Sequence, residues 1–340
     1  MKLRLRAAVL AVALTLAHLP AAPAQAITPV AGTLQSYNIS KVYVAGVSSG
    51  GYMATQLQVA YSGRIKGAAV FAAGPYYCAQ MNVSQALYGC GDNIWPTHLS
   101  TLEADASLWS SYGWIDPIGN VSGQPVYVYH GGNDSTVKTS VTNDLVSFYR
   151  HFGANVQYDS GSAAGHAWVS PLGPNSCSVT ASPFVNNCGT DPQRALLTKL
   201  YGSVNARNGA TLTGTLIRFD QSAYAINGWA PGLSMGTDGF AYVPASCAAG
   251  ASCRLLVALH GCSQAYTKIG TTFIATANLN EYADTNNTVV VYPQATATAG
   301  INPYGCWDWW GYLGSGDTAY PIHGGAQLET IMNMVRRLDG

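Results

Sequence analysis

Charge is what this 340-residue chain has least of. Lys, Arg, Asp and Glu make up 9% of it, 16 cations against 16 anions, far below the quarter or so usual in soluble proteins. Without a basic stripe there is nothing to neutralise nucleic-acid phosphates and no cationic face for a membrane. No Cys-x-x-Cys pair and no His-x-x-x-His spacing occurs, so no metal site is expected, and no cofactor motif is present either. Internal repeats, low-complexity linkers and charge blocks are missing as well. Long apolar runs are confined to residues 7–19, which are too few to span a bilayer.

That run has another meaning. Lys2, Arg4 and Arg6 precede it and Ala24-Gln25-Ala26 follows it, the order of a secretory signal with a small-residue cleavage site. Residues 1–26 are therefore expected to be removed, leaving 27–340 as a single catalytic domain, exported, without a membrane anchor and acting as a monomer. All eight cysteines, Cys78, Cys90, Cys177, Cys188, Cys247, Cys253, Cys262 and Cys306, lie after the signal. An even count in an exported chain reads as disulfides. Locality suggests Cys78–Cys90, Cys177–Cys188 and Cys247–Cys253, with Cys262–Cys306 left over. Apolar residues at 48% allow a sizeable core, and 21 tyrosines on a neutral chain suit an uncharged substrate.

Short β-rich apolar runs alternate with Gly-rich turns and helix-compatible segments. The runs lie at 41–45, 67–72, 125–129, 156–159, 214–220, 239–243, 254–259 and 288–292. That alternation predicts an α/β fold, a mostly parallel central sheet with helices on both faces.

Gly46-Val47-Ser48-Ser49-Gly50 stands where the first run ends and a helix over about 51–61 begins. A serine on so tight a strand-to-helix turn needs small neighbours and projects its Oγ clear of the sheet. A Gly/Ser turn without chemistry would carry the same residues, but the strand before it and the helix after it favour Ser48 as a nucleophile over Ser49. Asp134, in His130-Gly131-Gly132-Asn133-Asp134 after the 125–129 strand, is placed to orient a base. His166, in Gly165-His166-Ala167 after the next strand, is that base, with small neighbours read as a mobile loop. His323 is the reserve; His98, His130 and His151 compete poorly. One oxyanion donor is the N–H of Ser49. The second is expected from the turn His260-Gly261-Cys262-Ser263-Gln264, through the Cys262 N–H.

That turn comes late. In an α/β-hydrolase the strand-3 turn, helix A, strand 4 and helix B all precede the nucleophile strand. Here residues 254–259, 271–286, 288–292 and an amphipathic helix over about 325–338 supply those pieces after it. Joining that last helix to residues 36–41 restores the usual order. The sequence thus reads as a circularly permuted α/β-hydrolase fold, stabilised by disulfides, a rearrangement that neighbouring termini make easy.

The set Gly-Val-Ser-Ser-Gly-Gly at 46–51, HGGNDSTV at 130–137, GHAW at 165–168, LHGCSQ at 259–264 and NPYGCWDWW at 302–310 resembles the circularly permuted extracellular poly(3-hydroxybutyrate) depolymerases. The resemblance covers essentially the whole mature chain. It implies a serine esterase with Ser48, Asp134 and His166 as its triad, Ser49 and Cys262 at the oxyanion, and no cofactor. It also implies a polyester polymer or oligomer as partner, held in a crevice where a Trp touches the chain. Trp307 is the first choice, with Tyr304 and Asn302 beside it. Many relatives add a linker and a polymer-binding domain. This chain stops after its last helix, so amorphous polymer or soluble oligomers are the expected substrates. The rivals are a feruloyl or acetylxylan esterase on the same scaffold and a catalytically silent polymer-binding protein.

Overall fold

The protein was described from a computed structural model over residues 27–314 and 319–340. The expected signal, residues 1–26, lies outside the described residues. Along the chain run β1 (Val30–Ala31), β2 (Ile39–Val47), α1 (Ser49–Ala60), β3 (Ile65–Phe71), α2 (Leu99–Ser111), β4 (Pro125–Tyr129), α3 (Thr139–His151) and β5 (Asn155–Asp159). A small lobe follows, with β6 (Trp168–Val169), β7 (Asn175–Ser176), β8 (Val185–Asn187) and α4 (Pro192–Tyr201). The remainder is β9 (Thr215–Asp220), β10 (Asp238–Val243), α5 (Ala245–Ala248), β11 (Cys253–Leu259), α6 (Tyr266–Ile269), α7 (Thr272–Thr276), α8 (Asn280–Thr285), β12 (Thr288–Tyr292) and α9 (Ala326–Asp339).

Among the described residues, nine strands form one sheet in the order β1-β9-β10-β12-β11-β2-β3-β4-β5. Only β10 runs against its neighbours β9 and β12; the other pairs are parallel. Side chains alternate between two cores. Val42 and Val44 of β2 enter one, Tyr43, Ala45 and Val47 the other. On the first face they meet α1, α3 and α9 through Leu57, Leu145, Leu328 and Ile331. On the second they meet α4, α7 and α8 through Leu196, Phe273 and Tyr282. Coverage of both faces is why these strands read as unbroken apolar runs.

The permutation is visible in space. From β12 the chain passes to α9, whose Leu338 carbonyl accepts the Tyr37 N–H at 2.8 Å just ahead of β2. Arg337 Nε donates to the Leu34 carbonyl at 2.9 Å. The helix that would lead into the nucleophile strand of an unpermuted chain therefore packs where it belongs. The helix expected over 271–286 is instead two pieces, because Asn278 takes a left-handed conformation, φ 59°, that ends α7 before α8 begins.

All four disulfides follow the local pairing, with sequence separations of 12, 11, 6 and 44 residues. Among the described residues no helix is long and apolar enough to cross a membrane.

One buried carboxyl weakens this core as pH rises above its unfolded value. Glu281 on α8 is 5% exposed. Burial, helped by Asp191 and Asp284 and opposed by Arg207, pushes its carboxyl up to about 7. A folded value above the unfolded 4.5 means that ionisation is resisted by the fold. The penalty is absent below the unfolded value, grows as pH rises from 4.5 to about 7 and levels off above it at about 3 kcal/mol. Glu281→Gln is expected to stabilise the protein by that amount at pH 8 and hardly at all at pH 4.5. Denaturant melts at the two pH values check it, and an equal gain at both would contradict the assignment.

Candidate active site

Ser48 sits between the end of β2 and the start of α1 with φ 55° and ψ −124°, a conformation that a non-glycine residue holds only when its surroundings impose it. They do so by close approach. A Cβ on Gly46 would lie 2.1 Å from the Gly50 carbonyl oxygen, and one on Gly50 would lie 2.4 Å from the Leu259 and His260 carbonyl oxygens. The glycines thus let α1 start hard against the end of β11. Ser48 N–H donates to the Phe71 carbonyl at 2.9 Å, and its own carbonyl accepts Tyr52 N–H at 3.0 Å. Ser49 opens α1, so its N–H has no preceding turn of helix to bond. Its hydroxyl is buried and does not reach the cleft.

Asp134 follows β4 and His166 follows β5. Asp134 Oδ2 accepts from His166 Nδ1 at 2.8 Å, and Oδ1 accepts the N–H groups of Thr136 and Val137 at 2.8 and 2.9 Å. Burial would raise this carboxyl; the His166 bond and charge and the two amide bonds outweigh it and hold the group below its ordinary value. The carboxylate therefore stays charged opposite Nδ1, and Nε2 of His166 is left for the cleft. Ser48 and His166 line one cavity together with Gly261 and Cys262. They do not bond each other directly here, a looseness common in sites without substrate.

The His166 loop is tied down, contrary to the mobility expected of it. Gly132 N–H donates to the Ser162 carbonyl and Asn133 N–H to the Ala164 carbonyl. His166 N–H donates to Thr180 Oγ1 at 2.9 Å, and Cys177–Cys188 closes the lobe behind it. The small residues serve contact: a Cβ on Gly131 would lie 2.2 Å from the Ala164 carbonyl oxygen. Three of the other histidines are engaged elsewhere. His323, the reserve, donates to the Ala60 carbonyl at 2.6 Å. His151 faces Glu103 at 3.4 Å, and His130 bonds Thr142 at 3.0 Å.

The cleft has two chambers, about 490 and 310 Å³, that share Ser48, Thr136, Cys262 and Tyr304. The larger is walled by Leu87, Val137, Tyr52, Trp309 and Trp310, and Trp309 stacks on Tyr52 with ring centroids 3.9 Å apart. Tyr304 is 64% exposed at its rim.

Two expectations about this wall are corrected. Trp307 is fully buried, and its indole N–H donates to the His260 carbonyl at 2.9 Å, so it cannot touch a polymer. Asn302 is buried too; its amide donates to the Cys306 carbonyl at 2.8 Å and accepts the Cys306 N–H at 2.8 Å, which shapes the loop rather than the surface. Trp309 and Trp310 are the cleft tryptophans. Nothing in Trp-Asp-Trp-Trp distinguishes them from Trp307, because the loop they occupy has no period. Among the described residues no group of three or more His, Cys, Asp or Glu is placed to hold a metal ion.

A permuted hydrolase sheet with a strained serine at its centre and an Asp–His pair beside it places the chain among the serine hydrolases of the α/β-hydrolase type. A poly(3-hydroxybutyrate) depolymerase of Delftia acidovorans is 43% identical over 302 residues, 87% of this chain and 59% of that protein. A polyhydroxybutyrate depolymerase of Talaromyces funiculosus is 41% identical over 328 residues, 91% of this chain and 93% of the relative. The chain belongs to the poly(3-hydroxybutyrate) depolymerase family. The crystal structure of the PHB depolymerase of Penicillium funiculosum superposes with a TM-score of 0.83 at 39% identity, over 91% of this chain and 99% of that one. A serine-to-alanine PHB depolymerase complexed with an R3HB trimer gives the same values. The chain spans 59% of the length of the Delftia relative. No family model matches it.

Proposed function

We propose that this chain is a secreted serine esterase that cleaves the ester bonds of poly(3-hydroxybutyrate), related short-chain polyhydroxyalkanoates and their oligomers. The observation that carries this reading is a strained serine where two chambers meet, the larger with an apolar, aromatic wall. A neutral polyester threads such a cleft without leaving a charge unpaired. The chain's similarity to the two PHB depolymerases, and to a serine-to-alanine PHB depolymerase complexed with an R3HB trimer, supports this reading. Four disulfides support residence in an oxidising compartment.

The proposed reaction is a two-step acyl transfer. Ser48 Oγ attacks the ester carbonyl while His166 Nε2 takes its proton. Asp134 fixes the His166 tautomer with the proton on Nδ1 and stabilises the imidazolium that forms. The oxyanion lies against the N–H groups of Ser49 and Cys262. His166 then protonates the departing hydroxyl, and water activated by the same nitrogen releases the acyl group from Ser48. These residues supply every proton transfer.

Incubating the protein with amorphous polyhydroxybutyrate granules is expected to release 3-hydroxybutyrate and its short oligomers. Intact granules alongside released ferulate or acetate from substituted xylan would hand the site to the rival esterase. Failure of a fluorophosphonate to label Ser48 would revive the silent binding protein.

A further inference from the structure

His260 is fully buried behind the turn that follows β11, and ester cleavage as proposed above leaves it without a part. Its ring bonds decide its tautomer. The Ala295 N–H, which can only donate, points to Nε2 at 3.1 Å. Nε2 therefore carries the lone pair and the ring proton sits on Nδ1. Nδ1–H then donates to the Gly261 carbonyl oxygen at 2.7 Å. Burial pushes the ring down to about 4, so this arrangement persists at every pH where a serine esterase has a neutral base.

The Gly261 carbonyl is one end of a rigid unit. A trans peptide is planar, with its C=O and N–H antiparallel. Fixing that oxygen fixes the direction of the Cys262 N–H on the opposite side. The rest of the turn is already paired: Gly261 N–H with Gln264 Oε1 at 2.7 Å, Ser263 N–H with the Tyr304 carbonyl at 2.7 Å, and Gln264 N–H with the Gly261 carbonyl at 3.3 Å. Among the described residues, the Cys262 N–H is the backbone donor of residues 261–264 with no protein acceptor. The turn stands beside Ser48: a Cβ on Gly261 would lie 3.2 Å from Ser48 Cβ, and Ser48 and Cys262 line the same two chambers. The Cys262–Cys306 bridge holds the Cys262 side chain but not the peptide plane, whose carbonyl has, besides His260, the longer 3.3 Å bond from Gln264 N–H. A crankshaft rotation of that plane would turn the N–H away from the cleft while every disulfide stayed intact.

We infer that His260 is a positioning residue for ester hydrolysis, its Nδ1–H pinning the Gly261 carbonyl so that the Cys262 N–H faces the oxyanion. The inference rests on the proposed role of Cys262. Donors aimed in advance at developing charge act on the transition state more than on bound substrate, so loss of the clamp falls on kcat.

The test compares kcat, KM and thermal unfolding for the full chain, His260→Gln and His260→Asn on p-nitrophenyl butyrate. Gln offers an acceptor near the Nε2 position and no donor at Nδ1; Asn offers an amide N–H at the Nδ1 position. His260→Gln is expected to lower kcat about 10- to 100-fold with KM little changed, and His260→Asn to recover kcat to within about threefold of the parent. Equal losses in both variants, or a KM that rises in step with a falling melting temperature, would show a merely structural histidine and overturn the inference. So would a His260→Gln variant as active as the parent. If His260→Gln does not fold, His260→Asn decides alone, through retained or lost kcat at unchanged KM. A parent inactive on every ester would remove the esterase reading and this inference together; an active parent with an indifferent His260 removes only the inference.

Discussion

Ser48→Ala is expected to lower kcat on a soluble butyrate ester by about 10⁴- to 10⁶-fold, with the melting temperature and all four disulfides retained. The side chain makes no hydrogen bond that the fold depends on; its backbone holds the elbow, through Phe71 and Tyr52. Alanine at φ 55° is no more strained than serine, so a loss of activity reports chemistry and not collapse. Asp134→Asn should cost about 10⁴-fold, because an amide N–H opposite Nδ1 favours the tautomer with its proton on Nε2, where the base is needed. Its folding cost is expected to be small, since Asn keeps an acceptor for the Thr136 and Val137 amides. Ser49→Ala is the control: that hydroxyl is buried with no partner, and its loss should leave kcat within a few-fold. Stopped-flow and steady-state assays on the three variants separate the roles. A Ser48→Ala protein that still turns over, beside a Ser49→Ala protein that does not, would reverse the assignment of the nucleophile.

The strands that carry this site were readable because both sheet faces are covered, which turns β2, β4, β11 and β12 into apolar runs with Gly-rich turns at their ends. Each turn then places its residue at the same edge of the sheet, so Ser48, Asp134, His166 and Cys262 could be assigned an edge before any contact was known. The disulfides were readable because three of the pairings are short. Three things stayed hidden. The edge strand β1 has only two residues, too short for any period. The break at Asn278 depends on tertiary partners, Asp191 and Arg207 among them. The burial of Trp307 depends on the His260 carbonyl, 47 positions away. Local pattern reports which face of a regular element is apolar; it does not report which ring of an irregular loop the fold draws inward. The role inferred for His260 has the same origin, since a His-Gly turn read alone gives no sign that Ala295 fixes its tautomer.

Cutting the Cys262–Cys306 bridge is expected to destabilise the protein by about 4 kcal/mol, more than any of the other three disulfides. The loop it closes has a sequence separation of 44 residues, against 12, 11 and 6, and the chain-entropy cost restored to the unfolded state rises with loop length, to about 4 kcal/mol here and about 2 to 3 for the short loops. Activity should suffer far less than stability. The turn and the aromatic loop remain joined by Ser263 N–H to the Tyr304 carbonyl and by Trp307 Nε1 to the His260 carbonyl. Those two bonds hold the cleft at temperatures where the chain is folded. A Cys262→Ala, Cys306→Ala double variant is therefore expected to keep kcat within about tenfold at 25 °C, yet to unfold at distinctly lower denaturant concentration. Paired measurements of denaturant midpoint and initial rate decide between the two consequences. A midpoint barely moved would mean that native contacts order the 262–306 segment in the unfolded chain as well. A collapse of kcat at full stability would mean that the bridge, and not the Trp307 and Tyr304 contacts, sets the geometry beside Ser48.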